Sequence, residues 1–100
     1  MPTHEETARF WKDWQRLSPE ERRRFRDAVQ KFSQDLQRSP RGQFRRGLRV
    51  KPMQGADGIF EMTWEIADGR ATFEYGEERV PGEPHIVWRR IGGHDVFLEP

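Results

Sequence analysis

The feature that most narrows the fold is a change of hydrophobic period near residue 47. Before it, apolar residues recur at steps of three and four. Ala8, Phe10, Trp11, Trp14 and Leu17 form one such stripe, and Phe25, Ala28, Val29, Phe32 and Leu36 form a second. That spacing puts each set on one face of a helix. After it, Leu48 and Val50 alternate with Arg49 and Lys51. Phe60, Met62, Trp64 and Ile66 alternate with Glu61, Thr63 and Glu65, and Ala71, Phe73 and Tyr75 with Thr72 and Glu74. A period of two belongs to strands. Two helices followed by a run of strands predict an α+β chain, an N-terminal helical hairpin packed on a twisted antiparallel sheet of about four strands.

Local signals place the boundaries. Ser18-Pro19-Glu20-Glu21 has the form of a capping box, with proline in the first helical position and Glu21 three residues after the cap. Ser39-Pro40-Arg41-Gly42 ends that helix. The spacing predicts helices over about 5–16 and 19–37 and strands over about 47–53, 59–66, 70–76 and 85–91, in a single domain spanning 1–100. Gly55-Ala56-Asp57-Gly58 and Ala67-Asp68-Gly69 read as turns, and Gly92-Gly93 as a strand breaker. The alternation predicts one sheet face carrying Phe60, Met62, Trp64, Ala71, Phe73 and Tyr75 against the helices. The other, with Glu61, Thr63, Glu65, Thr72 and Glu74, is expected to be wet.

Charge is unevenly spread. Residues 1–50 hold thirteen Arg or Lys against seven Asp or Glu; residues 51–100 hold five against ten. Arg38 to Lys51 contains six basic residues and no acid, a stretch suited to a phosphate backbone, an acidic partner or plain solvation. There is no cysteine, so neither disulfides nor thiolate metal sites are possible. The first residues lack a basic start with an apolar core, and no apolar run nears the roughly 20 residues of a membrane helix. These features lead us to expect a cytoplasmic protein without a membrane partner.

No phosphate-binding glycine loop, zinc-protease helix or nucleophile elbow is present. His85, His94 and Asp95 are metal-capable, but their spacing fits no ligand pattern. The ordered set of segments carries more information. Phe10-Trp11-Lys12-Asp13-Trp14 leads to Leu17-Ser18-Pro19-Glu20. Leu48-Arg49-Val50-Lys51 precedes Gly58-Ile59-Phe60-Glu61-Met62-Thr63-Trp64. Phe73-Glu74-Tyr75 precedes His85-Ile86-Val87-Trp88-Arg89-Arg90-Ile91-Gly92-Gly93-His94-Asp95-Val96-Phe97. Over nearly its whole length this series resembles the RelE/ParE toxins of type II toxin–antitoxin pairs.

The resemblance implies a toxin held silent by a cognate antitoxin protein. It implies a ribosome-dependent mRNA endoribonuclease that uses no cofactor. The alternatives are a non-catalytic inhibitor of a protein such as DNA gyrase and an inactive member that only binds its antitoxin. By resemblance, His94 would transfer a proton, Lys51, Arg89 and Arg90 would hold the phosphate, and Phe97 would lie beside them. Arg41, Arg45, Arg46 and Arg49 would contact RNA. Thr63 stands where many of the nucleases carry arginine, and Phe97 where a tyrosine is common.

Overall fold

The computed structural model describes residues 2–39, 42–65 and 67–100. Its elements, in chain order, are β1 (Thr3–Glu6), α1 (Ala8–Gln15), α2 (Pro19–Arg38), β2 (Lys51–Pro52), β3 (Phe60–Glu65), β4 (Gly69–Gly76) and β5 (His85–Gly92). Short 3-10 turns cover Arg46–Leu48 and His94–Leu98. The strands form one sheet in the order β1-β5-β4-β3-β2. The α+β class and the helical hairpin on a sheet hold. The sheet is five-stranded and mixed, because β1 runs parallel to β5 while the other neighbours are antiparallel.

The helix boundaries follow from capping. Thr7 precedes α1, and its Oγ1 accepts from the Phe10 N–H (3.1 Å) while donating to the Arg89 carbonyl (2.7 Å). The Thr7 N–H donates to the Trp88 carbonyl at 3.0 Å, so one residue starts the helix and ties it to β5. Ser18 and Glu21 make the reciprocal capping box before α2. The first helix was expected from about residue 5. Instead, residues 3–6 are extended, because His85 to Trp88 offer them a parallel backbone ladder.

The core lies between the helices and one sheet face. Phe10, Phe25, Phe32 and Leu36 meet Met62, Trp64, Phe73, Ile86, Trp88 and Ile91, all buried. Phe32 stacks on Phe44 with centroids 4.8 Å apart and meets Phe73 edge-on at 5.0 Å. Fully burying a side chain of this size contributes roughly 1.5–3 kcal/mol, so this aromatic cluster holds the hairpin to the sheet. The Trp64 Nε1–H donates to the Arg70 carbonyl at 2.9 Å, which satisfies the one polar atom it buries.

Two expectations about the strands need correction. The stretch 47–53 is not one strand: Arg46–Leu48 is a 3-10 turn, Arg49 is left-handed (φ 48°), and only Lys51–Pro52 pairs with β3. Leu48 is thereby turned into the core. The second sheet face is not simply wet either. Thr72 is fully buried, and its Oγ1 donates to Pro100 O at 3.4 Å, because residues 94–100 fold back over β4 and β5. Residues 40, 41 and 66, where the helix stop, Arg41 and the end of the second expected strand were placed, lie outside the described residues.

Candidate active site

On the face away from the helices, register aligns one row of residues across four strands. Lys51 pairs with Glu61, Glu61 with Thr72, and Thr72 with Arg90. Direct partners in antiparallel strands project the same way, and three strand spacings make the row about 14 Å long. The pairing skips Arg89, because the β4–β5 register shifts between Thr72 and Phe73, and the bulge re-aims that side chain.

The cations of this row, and Arg89 beside it, already have carboxylate partners. Lys51 Nζ lies 3.6 Å from Glu61 Oε1, and Arg89 Nη1 3.4 Å from Glu74 Oε2; the Arg89 Nε–H also donates to Pro100 O at 2.9 Å. Arg90 is the most committed. It donates through Nε (2.6 Å) and Nη2 (3.1 Å) to Asp13, and through Nη1 to the Glu99 carbonyl (3.0 Å). Asp13 also accepts from the Ile91 N–H at 3.2 Å. Three of the five guanidinium N–H groups are therefore used to fasten α1 and the last residues to β5.

The basic tract divides in the same way. Arg45 makes a bidentate pair with Asp35 (2.9 and 2.8 Å), and its N–H adds a third bond to the same carboxylate at 2.8 Å. Those bonds hold the Asp35 carboxyl below its ordinary pKa. Arg46 and Arg49 are exposed, and neither makes an ion pair among the described residues. Arg41 lies outside the described residues.

His94 stands apart from this row, past the end of β5 and against the β3–β4 turn. Its Nδ1 is 2.9 Å from Asp68 Oδ1, and its backbone N–H donates to the same oxygen at 3.1 Å. These two bonds, the side-chain one first, hold the Asp68 carboxyl below its usual range. The ring meets Phe97 edge-on at 5.5 Å. An ionised Asp68 accepts from Nδ1–H, which leaves the lone pair on Nε2. Both side chains are about two-thirds exposed (64% and 66%), and Nε2 has no hydrogen-bond partner among the described residues.

The glycine pair before His94 allows this approach. A Cβ on Gly93 would lie 2.2 Å from Asp68 Oδ2, and one on Gly92 would lie 3.0 Å from a Val96 methyl. An adjacent cleft of about 140 Å³ is lined by Arg16, Glu21, Glu65, Asp68 and Gly93 among others. Asp68 and Arg16 were not singled out in the sequence. The first sits in what reads as an ordinary hairpin turn, and only the fold brings it to His94; the second, at a helix end, lines the adjacent cleft beside Asp68.

His85 is used differently. The His85 ring is buried, with Nδ1 2.6 Å from Thr3 Oγ1 and Nε2 2.8 Å from Glu5 Oε1, which Arg79 also contacts at 2.8 Å. Among the described residues, no three His, Asp or Glu side chains are grouped to hold a metal ion. No helix among them is long and apolar enough to cross a membrane.

No family model matches this sequence, and no curated protein does. Solved structures do. A YoeB/ParE toxin from Agrobacterium tumefaciens superposes with a TM-score of 0.64 at 17% identity, over 92% of this chain and 98% of that one. A chain of the Escherichia coli DinJ–YafQ complex gives 0.60 at 15%, over 96% and 97%. A chain of the RelB–RelE antitoxin–toxin complex from Methanococcus jannaschii gives 0.59 at 17%, over 94% of each. Two helices laid on a mixed five-stranded sheet, matched end to end by these structures, are the RelE/ParE toxin fold, and this chain has it.

Proposed function

We propose that this chain is the toxin of a toxin–antitoxin pair and that it cleaves messenger RNA on the ribosome, with His94 as the proton-transfer group. The fold supports the toxin reading, and the complexes among its structural relatives support a protein antitoxin as partner. The observation that carries the chemistry is the His94–Asp68 pair: an imidazole oriented through Nδ1, with Nε2 open to solvent.

In the proposed step, Nε2 takes the proton of a ribose 2′-OH as that oxygen attacks the adjacent phosphorus. The bond to the 5′-oxygen breaks, and that oxygen takes a proton from water. The products are a 2′,3′-cyclic phosphate and a 5′-hydroxyl end. Asp68 keeps the ring in the needed tautomer and stabilises the imidazolium that forms. Arg16, on the wall of the neighbouring cleft, would meet phosphate charge that enters it. Arg46 and Arg49 supply unpaired cations for RNA backbone. Lys51 and Arg89 join them only by exchanging Glu61 and Glu74 for phosphate.

Those same ion pairs favour a second reading, a toxin that inhibits a protein such as DNA gyrase without chemistry of its own. The two separate on one experiment. Express the chain without its partner and map the 5′ ends of cellular RNA. New 5′-hydroxyl ends within translated messages are expected. Growth arrest with intact messages contradicts cleavage and leaves the non-catalytic toxin.

A further inference from the structure

We propose that residues 98–100 are a built-in cover: their backbone carbonyls hold Thr72, Arg89 and Arg90 in place of RNA phosphate, and RNA binds this face only when they lift. The inference rests on RNA phosphate being a ligand of this face, and not on His94 carrying out chemistry.

Thr72 lies inside the row that register aligns from Lys51 to Arg90, yet it is fully buried. The fold-back of residues 94–100 hides it. Pro100 O accepts from Thr72 Oγ1 at 3.4 Å and from the Arg89 Nε–H at 2.9 Å, and the Glu99 carbonyl accepts from Arg90 Nη1 at 3.0 Å. Three side chains from two neighbouring strands converge on two consecutive carbonyl oxygens. A hydroxyl and two guanidinium N–H groups so placed are also donors for phosphate oxygens, which bring a full charge where a carbonyl brings only a dipole. Phosphate is therefore the better acceptor for the arginines, although Glu74 competes for Arg89 from 3.4 Å.

The cover is lightly held. Val96 is only 1% exposed and anchors the 3-10 turn, and Phe97 rests against the His94 ring. Beyond them, Leu98 is 85% exposed, Glu99 is exposed and Pro100 is half-buried. The Glu99 carboxylate reaches α1, where Arg9 Nη2 meets it at 2.7 Å, but both side chains are largely exposed and such pairs contribute little. A segment with few bonds and little apolar contact opens at low cost. A pivot after Phe97 would lift it and leave the His94–Asp68 bonds in place. While the cover is down, the competent fraction is small, and apparent RNA affinity falls in proportion.

The test uses the whole chain and a 2′-O-methylated RNA hexamer, which can bind but lacks the hydroxyl that cleavage needs. Arg9→Glu sets like charges against each other and should free the cover. Charge alone would then weaken RNA binding, whereas release is expected to tighten it about threefold. Arg9→Glu/Glu99→Arg rebuilds the pair and should return affinity to the parent value. The chain has no cysteine, so Arg9→Cys/Glu99→Cys can be joined by a short bismaleimide. The joined protein is expected to bind about tenfold more weakly than the same protein capped singly at each thiol. In the parent chain, RNA should move the Leu98 and Glu99 amide NMR signals to unstructured positions. Four results overturn the proposal: no RNA binding by parent or Arg9→Glu chain, equal binding by joined and capped protein, RNA binding that leaves both amides unmoved, or freed amides in Arg9→Glu without tighter binding. Cleavage of unmodified message is scored separately, so a chain that binds RNA as described but does not cut contradicts the nuclease reading alone.

Discussion

Two of the histidine–carboxylate pairs among the described residues, His85–Glu5 and His94–Asp68, share a chemistry and differ in use. His85 is sealed into the sheet with both ring nitrogens engaged, by Thr3 and Glu5. It fastens β1 to β5 and has no free nitrogen to offer a substrate. His94 is bound to Asp68 through one nitrogen only and keeps the other towards solvent. Geometry, not residue type, separates a histidine with both nitrogens engaged from one with a nitrogen left towards solvent. The same contrast sorts the arginines: Arg90 and Arg45 are locked on Asp13 and Asp35, while Arg46 and Arg49 are unpaired among the described residues.

The contrast can be broken from the structural side first. Asp13→Ala removes the partner of a mostly buried guanidinium and of the Ile91 N–H, and is expected to cost about 3 kcal/mol, read from urea unfolding. An unfolding midpoint equal to that of the parent chain would show Arg90 to be free for substrate. His85→Ala is expected to cost roughly 2 kcal/mol through the lost ties to β1, while RNA cleavage by the folded fraction stays unchanged. A fall in cleavage by the folded fraction would erase the distinction between the two histidines.

Gly93→Ala sharpens the working side. Its Cβ would displace the Asp68 carboxylate and leave the His94 side chain in place, so cleavage should fall about tenfold or more with little loss of fold. Cleavage at the parent rate would show that Asp68 is dispensable. The smallest effect is acid stability. The Asp35 pKa is depressed in the folded state, so its contribution is present above the unfolded value near 3.9 and is lost as pH falls through the folded one. Asp35→Asn should therefore be less stable than the parent at neutral pH and show a shallower loss of stability below about pH 4. An unchanged acid limb in thermal unfolding would remove Arg45 from the list of structural arginines.

The helices and the three long strands were legible because their signals are local. The Ser18–Glu21 box and the alternation through β3 and β4 need no distant partner. β1 was not legible. Thr3-His4-Glu5-Glu6 has no apolar alternation, and it becomes a strand only because β5, about eighty residues later, offers a ladder and a histidine. The short β2 was hidden by the Leu48–Val50 alternation, which does not reveal that Arg49 turns left-handed. At the site, His94 was legible as an exposed histidine after two glycines. Asp68 was not, since 26 residues separate it from His94. Arg90 looked like a phosphate ligand because its true partner, Asp13, lies 77 residues away.

Under the proposed function, cleavage depends on the open nitrogen of His94. Cleavage of ribosome-bound message by the purified His94→Ala chain, beside the parent chain and with circular dichroism to certify folding, tests it most directly. A loss of about 10²- to 10⁴-fold in cleavage rate with an unchanged spectrum is predicted. A folded His94→Ala chain that cuts at the parent rate would contradict it.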